Sequence, residues 1–403
     1  MNSIISYTTS ASDHISNWLL GDKPTIVTAK DLSNTHITQE IIRRCPSFQE
    51  NFVPSPWLVS GHLQTIGVSM LRDTPDIQFE RESLYMPDGG FVTLDWTSLF
   101  GEEHKQQIHG EQHGRISKSS ETPQVRSQTD VPTVIIMHGL TGGSNESYVR
   151  HAVQEARKQG FNSIAFNYRG AAGTQLANTV MYSGAQTHDV RAVVKHLKAS
   201  LPNSPLFAVG FSLGANILTK YVGEEGENCP LAGAVSISNP FKFVEASRYL
   251  HDHWFLRTVY SKALGGNLVR FFNKHRKTYE NHEEISPSDI DRVKYLRDFD
   301  EYFTRRAGGY DSVDAYYTDA SSSTRIHNIR VPYLAINALD DPISPAICMP
   351  YKEIEGNENT ILITTKRGGH TGWLEGYNPL HFSNSWMDRV AFQFIKAVAD
   401  ARK

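Results

Sequence analysis

The chain has 403 residues, 39% hydrophobic and 21% charged, which describes a soluble globular protein with room for one large α/β domain. Its net charge of −3 gives no electrostatic case for nucleic acid or polyanionic partners. The three cysteines, Cys45, Cys229 and Cys348, are far apart, odd in number and in no metal spacing, which argues for reduced thiols in a cytoplasmic or organellar setting and against a disulfide scaffold.

Residues 1–50 carry weak periodicity, with a turn of helix at Ile15 to Leu20 and another at Ile37 to Arg44, and read as an N-terminal extension. They lack the basic start and apolar core of a secretory signal, and no arginine precedes Arg43, against a transit peptide. No run in the chain approaches the roughly 18 apolar residues of a membrane span. Asn51 to Trp57 is too proline-rich for a regular element, and Gly61-His62-Leu63-Gln64-Thr65 follows it. Ile77 to Arg81 and Phe91 to Trp96 alternate around Pro87-Asp88-Gly89-Gly90, a hairpin signal. From Gly101 to Asp130 almost nothing is apolar, which predicts a loosely ordered surface insertion.

After Val131 the pattern sharpens. Strands are predicted at Pro132–Met137, Phe161–Phe166, Leu206–Val209 and Leu231–Ile237, with helices at Tyr148–Gln159, Asp189–Ser200 and from Ala215. Such alternation means a mostly parallel sheet flanked by helices. From Phe241 to about Ile329 no strand is evident, and aromatic residues dominate. This stretch reads as an inserted helical cap. The sheet resumes at Val331–Asn337 and Thr360–Thr365, and a last helix runs from Ser385 to Ala401.

Three placements carry chemistry. Gly210-Phe211-Ser212-Leu213-Gly214 joins a strand to a helix, the pattern of a nucleophile elbow, although the bare pentapeptide is a weak signal. A serine there needs a base and a third group that orients the base. Leu339-Asp340-Asp341-Pro342-Ile343 follows a late strand, and Gly368-Gly369-His370 follows the last one. The order serine, acid, histidine and the three positions agree, so the expected catalytic residues are Ser212, Asp341 and His370. Asp341 is favoured over Asp340 because Pro342 fixes the backbone beside it. The oxyanion donors expected are the amides of Leu213, after the nucleophile, and Leu140, in the glycine-rich loop after Met137.

These motifs resemble the YheT-like branch of the α/β-hydrolase superfamily, which includes yeast medium-chain ethyl-ester synthases/esterases and animal abhydrolase-domain lipases. The resemblance runs from about Asn51 to the C-terminus. It covers Gly61 to Thr65, His138-Gly139-Leu140-Thr141-Gly142-Gly143, Asn167-Tyr168-Arg169-Gly170, the elbow with Ala215-Asn216, Tyr316-Tyr317, and the Asp341 and His370 loops. It implies an α/β-hydrolase fold over residues 51–403 and a serine esterase or lipase acting on small-molecule ester or lipid substrates, with contact at a lipid surface. No cofactor or metal is expected. An alcohol acyltransferase, or a silent binding protein on the same fold, are the competing readings. Gly61 to Thr65 has no chemical role derivable from sequence, and packing beneath the cap is its expected use.

Overall fold

In the computed structural model, which describes residues 21–30, 36–97, 130–378 and 382–402, the strands form a single nine-stranded sheet. In chain order they are β1 (Thr25–Val27), β2 (Glu80–Tyr85), β3 (Phe91–Thr97), β4 (Thr133–Met137), β5 (Asn162–Asn167), β6 (Leu206–Phe211), β7 (Gly233–Ile237), β8 (Tyr333–Ala338) and β9 (Thr360–Thr365). Across the sheet the order is β1-β9-β8-β7-β6-β4-β5-β3-β2. The run from β9 to β5 is parallel, and β1, β3 and β2 join it in antiparallel pairings.

Strands β4 to β9 are buried at every position, as expected of a parallel sheet covered on both faces. Alternation sends Ile135 and Met137 to one face and Val134 and Ile136 to the other. The first face packs on the helices His188–Ser200 and Leu213–Glu225, the second on Ser147–Lys158 and Trp386–Ala401.

Two expectations need correction. Residues 1–50 are not set apart where they are described: β1 pairs with β9, and Ile41, Cys45 and Phe48 share a core with the C-terminal helix. A three-residue strand is too short to show a period. The first hairpin strand lies at 80–85 rather than 77–81, because register counts back from the turn, where the Met86 amide donates to Gly90 at 2.8 Å. Ile77 and Phe79 pack beside the Ser147–Lys158 helix instead. The helix turn at Ile15–Leu20 and, but for Asp130, the polar stretch Gly101–Asp130 lie outside the described residues.

Between β7 and β8 the chain makes only helices, among them Phe243–Asp252, Lys262–Lys274 and Val313–Ala320. Among the described residues no helix is long and apolar enough to cross a membrane.

Candidate active site

Ser212 sits where β6 turns into the Leu213–Glu225 helix, at φ 52° and ψ −116°, a left-handed conformation that costs an L-residue energy. The turn is tight enough that side chains are excluded on both sides. A Cβ on Gly210 would lie 2.5 Å from the Gly214 carbonyl oxygen, and one on Gly214 2.5 Å from that of His138. The Ser212 amide donates to Ile237 at 2.9 Å, fixing the elbow to β7. Buried Asn216, one turn into the helix, donates to Gly184 at 3.1 Å and to Ala320 at 2.8 Å. It thereby ties the elbow to the end of the Val313–Ala320 helix.

The loops after β8 and β9 bring the other two expected side chains to it. His370 Nε2 is 2.8 Å from Ser212 Oγ, and His370 Nδ1 is 2.8 Å from Asp341 Oδ2. The second Asp341 oxygen accepts from the amides of Ile343 at 2.7 Å and Ser344 at 2.8 Å, so the carboxylate is held on both sides. A carboxylate can only accept, which places the proton of neutral His370 on Nδ1 and leaves Nε2 free to take one from Ser212.

Asp340 faces elsewhere. Its Oδ1 accepts from the Gly369 amide at 2.9 Å, and the Gly61 amide also faces the carboxyl. Burial pushes this carboxyl up to about 6, with the charge on Asp341 adding to the rise against the Gly369 hydrogen bond.

The same contacts give Gly61 to Thr65 a role. These residues open a helix, Gly61–Met70, whose first turn is packed backbone to backbone against the His370 loop. A Cβ on Gly61 would lie 2.0 Å from the Asp340 carbonyl oxygen. Thr65 Oγ1 donates to the Gly61 carbonyl at 2.7 Å and accepts from the His370 amide at 2.9 Å. Gln64 Oε1 accepts from the Leu374 amide at 2.8 Å, and Gln64 Nε2 donates to Leu58 at 2.8 Å. His62 Nδ1 lies 2.8 Å from the Tyr260 hydroxyl, joining this turn to the helical segment above. The motif is therefore a support under His370 as well as a contact to the roof.

The loop after β4 is held at three points. The Gly139 amide donates to the Tyr148 hydroxyl at 3.0 Å, and the Thr141 amide to the Tyr182 hydroxyl at 2.8 Å. Burial brings His138 down to about 4, so the ring is neutral; its Nδ1 donates to the Gly139 carbonyl at 2.7 Å. In a trans peptide the C=O and the next N–H point opposite ways. Anchoring the Gly139 carbonyl therefore directs the Leu140 amide away from His138. The Leu213 amide, at the first position of its helix, has no intrahelical partner by construction of a helix end. Leu140, Leu213, Ser212 and His370 all line one cavity.

That cavity has a volume of about 310 Å³ and a largely apolar wall, including Met181, Phe243, Leu250, Leu268 and Phe271. One buried acid interrupts it. Asp300 accepts from the Tyr317 hydroxyl at 2.6 Å, and burial raises its carboxyl to about 6. Neither Asp300 nor the Tyr148 and Tyr182 props are announced by a sequence motif. Among the described residues, no group of three His, Cys, Asp or Glu side chains could hold a metal ion.

An elbow serine on a mostly parallel sheet, hydrogen-bonded to a histidine from the last loop, is the architecture of an α/β hydrolase. A sequence profile of the alpha/beta hydrolase fold matches residues 132–377, and the chain belongs to that family. Among its relatives, Embryogenesis-associated protein EMB8 of Picea glauca is 37% identical over 361 residues, covering 89% of this chain and 75% of that protein. Phospholipase ABHD3 of Homo sapiens is 31% identical over 383 residues, 94% of this chain and 86% of its own length. Monoacylglycerol lipase of Saccharomyces cerevisiae is 33% identical over 362 residues, covering 85% and 80% of the two chains.

Proposed function

We propose that this α/β hydrolase is a carboxylic ester hydrolase that acts on lipid-like esters through an acyl-enzyme on Ser212. The observation that carries the reading is the hydrogen-bonded chain Ser212–His370–Asp341, at 2.8 Å in each link. His370 Nε2 takes the Ser212 proton as Oγ attacks the ester carbonyl, and Asp341 steadies the imidazolium. The developing oxyanion accepts from the Leu140 and Leu213 amides. His370 then gives its proton to the departing alcohol oxygen, leaving an acyl-serine. Water attacks that ester with His370 again as base, and the free acid leaves.

The apolar wall suits an acyl chain, which gains about 0.8 kcal/mol for each methylene buried. A volume of about 310 Å³ lies at the small end of ligand cavities and favours medium chains over long ones. The same wall limits water around the acyl-enzyme, which gives an added alcohol the opportunity to deacylate it as a transferase would. The experiment is a series of p-nitrophenyl and glycerol esters of increasing chain length, with Ser212→Ala as control and a fluorophosphonate probe to mark the nucleophile. Activity peaking at medium chains, and lost with Ser212, is expected. Undiminished cleavage by Ser212→Ala would end the reading, and a best substrate of two carbons would end the acyl-pocket part of it.

A further inference from the structure

The Lys262–Lys274 helix walls the Ser212 cavity with Leu268 and Phe271, while its outer side carries chemistry that ester cleavage does not use. Between His253 and Tyr279 the sequence holds Arg257, Lys262, Arg270, Lys274, Arg276 and Lys277 and not one Asp or Glu. In a chain of net charge −3 this is a local reversal of sign that the whole-chain sum conceals. Some of it is spoken for: Arg276 pairs with Asp291 at 2.8 Å, and Arg257 lies over the Tyr295 ring at 5.6 Å. Lys262, Arg270 and Lys294 are exposed and line an open groove together with Val259 and Val293. Among the described residues none of these three cations has a carboxylate partner. The acids nearest in sequence are otherwise placed or open to solvent: Asp291 pairs with Arg276, the Asp298 side chain accepts from the Lys294 and Tyr295 amides, and Glu280 and Asp252 are exposed.

Immediately ahead of the helix stands an apolar knuckle. Trp254 is 73% exposed, and Phe255 and Val259 are exposed beside it. The groove and the cavity share a lining residue. Asn267 lines both, and Arg270 donates to its side-chain oxygen. Large aromatic side chains left in water next to unpaired cations match one kind of partner, the headgroup–acyl boundary of an anionic bilayer. There the rings enter the interface and the cations meet phosphates. A nucleic acid would use the cations but would have no use for Val259 and Phe255.

We propose that the face formed by Trp254 to Ser261 and the outer side of the Lys262–Lys274 helix docks on an anionic lipid surface. Docking places the groove, and with it the Asn267 side of the Ser212 cavity, over the lipid. The route of substrate rests on the ester-hydrolase reading; the docking does not.

The test is co-sedimentation of the full chain, carrying Ser212→Ala so that lipid is not consumed, with two kinds of vesicle. One is pure phosphatidylcholine; the other contains about one-third phosphatidylglycerol. Binding should be stronger on the anionic vesicles and weaken with salt. Lys262→Gln combined with Arg270→Gln should lower anionic binding by about 10- to 30-fold. Trp254→Ala should lower it on both kinds of vesicle. With Ser212 restored, the double variant should cleave a soluble short-chain ester at the wild-type rate, which also shows that it is folded. Equal binding to the two kinds of vesicle, or anionic binding unchanged in the double variant, would overturn the proposal. So would anionic binding unaffected by Trp254→Ala but abolished by competing RNA, which would point to a nucleic-acid partner. Retained ester cleavage in Ser212→Ala would instead remove the catalytic reading and leave the docking result standing.

Discussion

Replacing Asp341 by Asn keeps the side-chain volume and changes one acceptor into a donor, so its effect can be worked out from the contacts. Asp341 Oδ2 meets His370 Nδ1 at 2.8 Å, while Oδ1 accepts from the Ile343 and Ser344 amides at 2.7 and 2.8 Å. An Asn has a single acceptor oxygen. Two fixed N–H donors hold it on the Ile343–Ser344 side, which turns the NH₂ group toward His370. Nδ1 must then become the acceptor, and the ring proton moves to Nε2, 2.8 Å from the Ser212 hydroxyl it should deprotonate. Loss of the base in this way costs about 10⁴ in kcat, or about 5.4 kcal/mol at 1.36 kcal/mol per decade, with little change in KM. Asp340→Asn is the matched control. Its amide oxygen can still accept from Gly369, so kcat should stay within about fivefold of wild type. Initial rates of p-nitrophenyl ester cleavage across about pH 5 to 9 give both values, with Tm as the check on folding. If Asp340→Asn proves the more damaging of the two, the assignment of the orienting acid is wrong.

Thr65→Val removes the hydroxyl that receives the His370 amide at 2.9 Å. It should lower kcat about tenfold with KM nearly constant, and Thr65→Ser should restore most of the loss; equal activity in Val and wild type would reduce Thr65 to packing. Gly61→Ala drives a methyl to 2.0 Å from the Asp340 carbonyl oxygen and should destabilise the fold by about 3 kcal/mol, seen as a fall in Tm. Asp300 has its carboxyl raised from 3.8 to about 6 by burial, so the folded protein binds this proton more tightly than the unfolded chain does. Its stabilising contribution is full below about pH 3.8 and is lost as pH rises through about 6, so Asp300→Asn should gain on wild type by about 2–3 kcal/mol between about pH 4 and 7. A Tm difference between the two proteins that does not change with pH would contradict this.

The parallel half of the sheet was legible because buried strands write themselves as short apolar runs, and Thr360–Thr365 matches the expected bounds residue for residue. The elbow was legible because a strained turn restricts which residues can stand at Gly210 and Gly214. What escaped has one cause in common: contacts between residues far apart in sequence leave no local pattern. Thr65 meets His370 across 305 positions, and the Tyr182 hydroxyl reaches Thr141 across 41. The choice between Asp340 and Asp341 was a matter of which neighbour points inward, a backbone detail that Pro342 hints at but does not determine. β1 was missed because three residues are too few to alternate.

That short strand has a use unrelated to catalysis. β9 reads Thr360-Ile361-Leu362-Ile363-Thr364-Thr365, six residues without a charge, a proline or a glycine. A segment of this kind, left as an open sheet edge, is a template for intermolecular stacking. β1 covers its Leu362, Ile363 and Thr364, while the opposite edge, β2, carries Glu80, Arg81 and Glu82. Proteolytic trimming past Val27 would spare Ser212, Asp341 and His370 and would bare the β9 edge, so the trimmed protein is expected to scatter more light on storage than the intact chain.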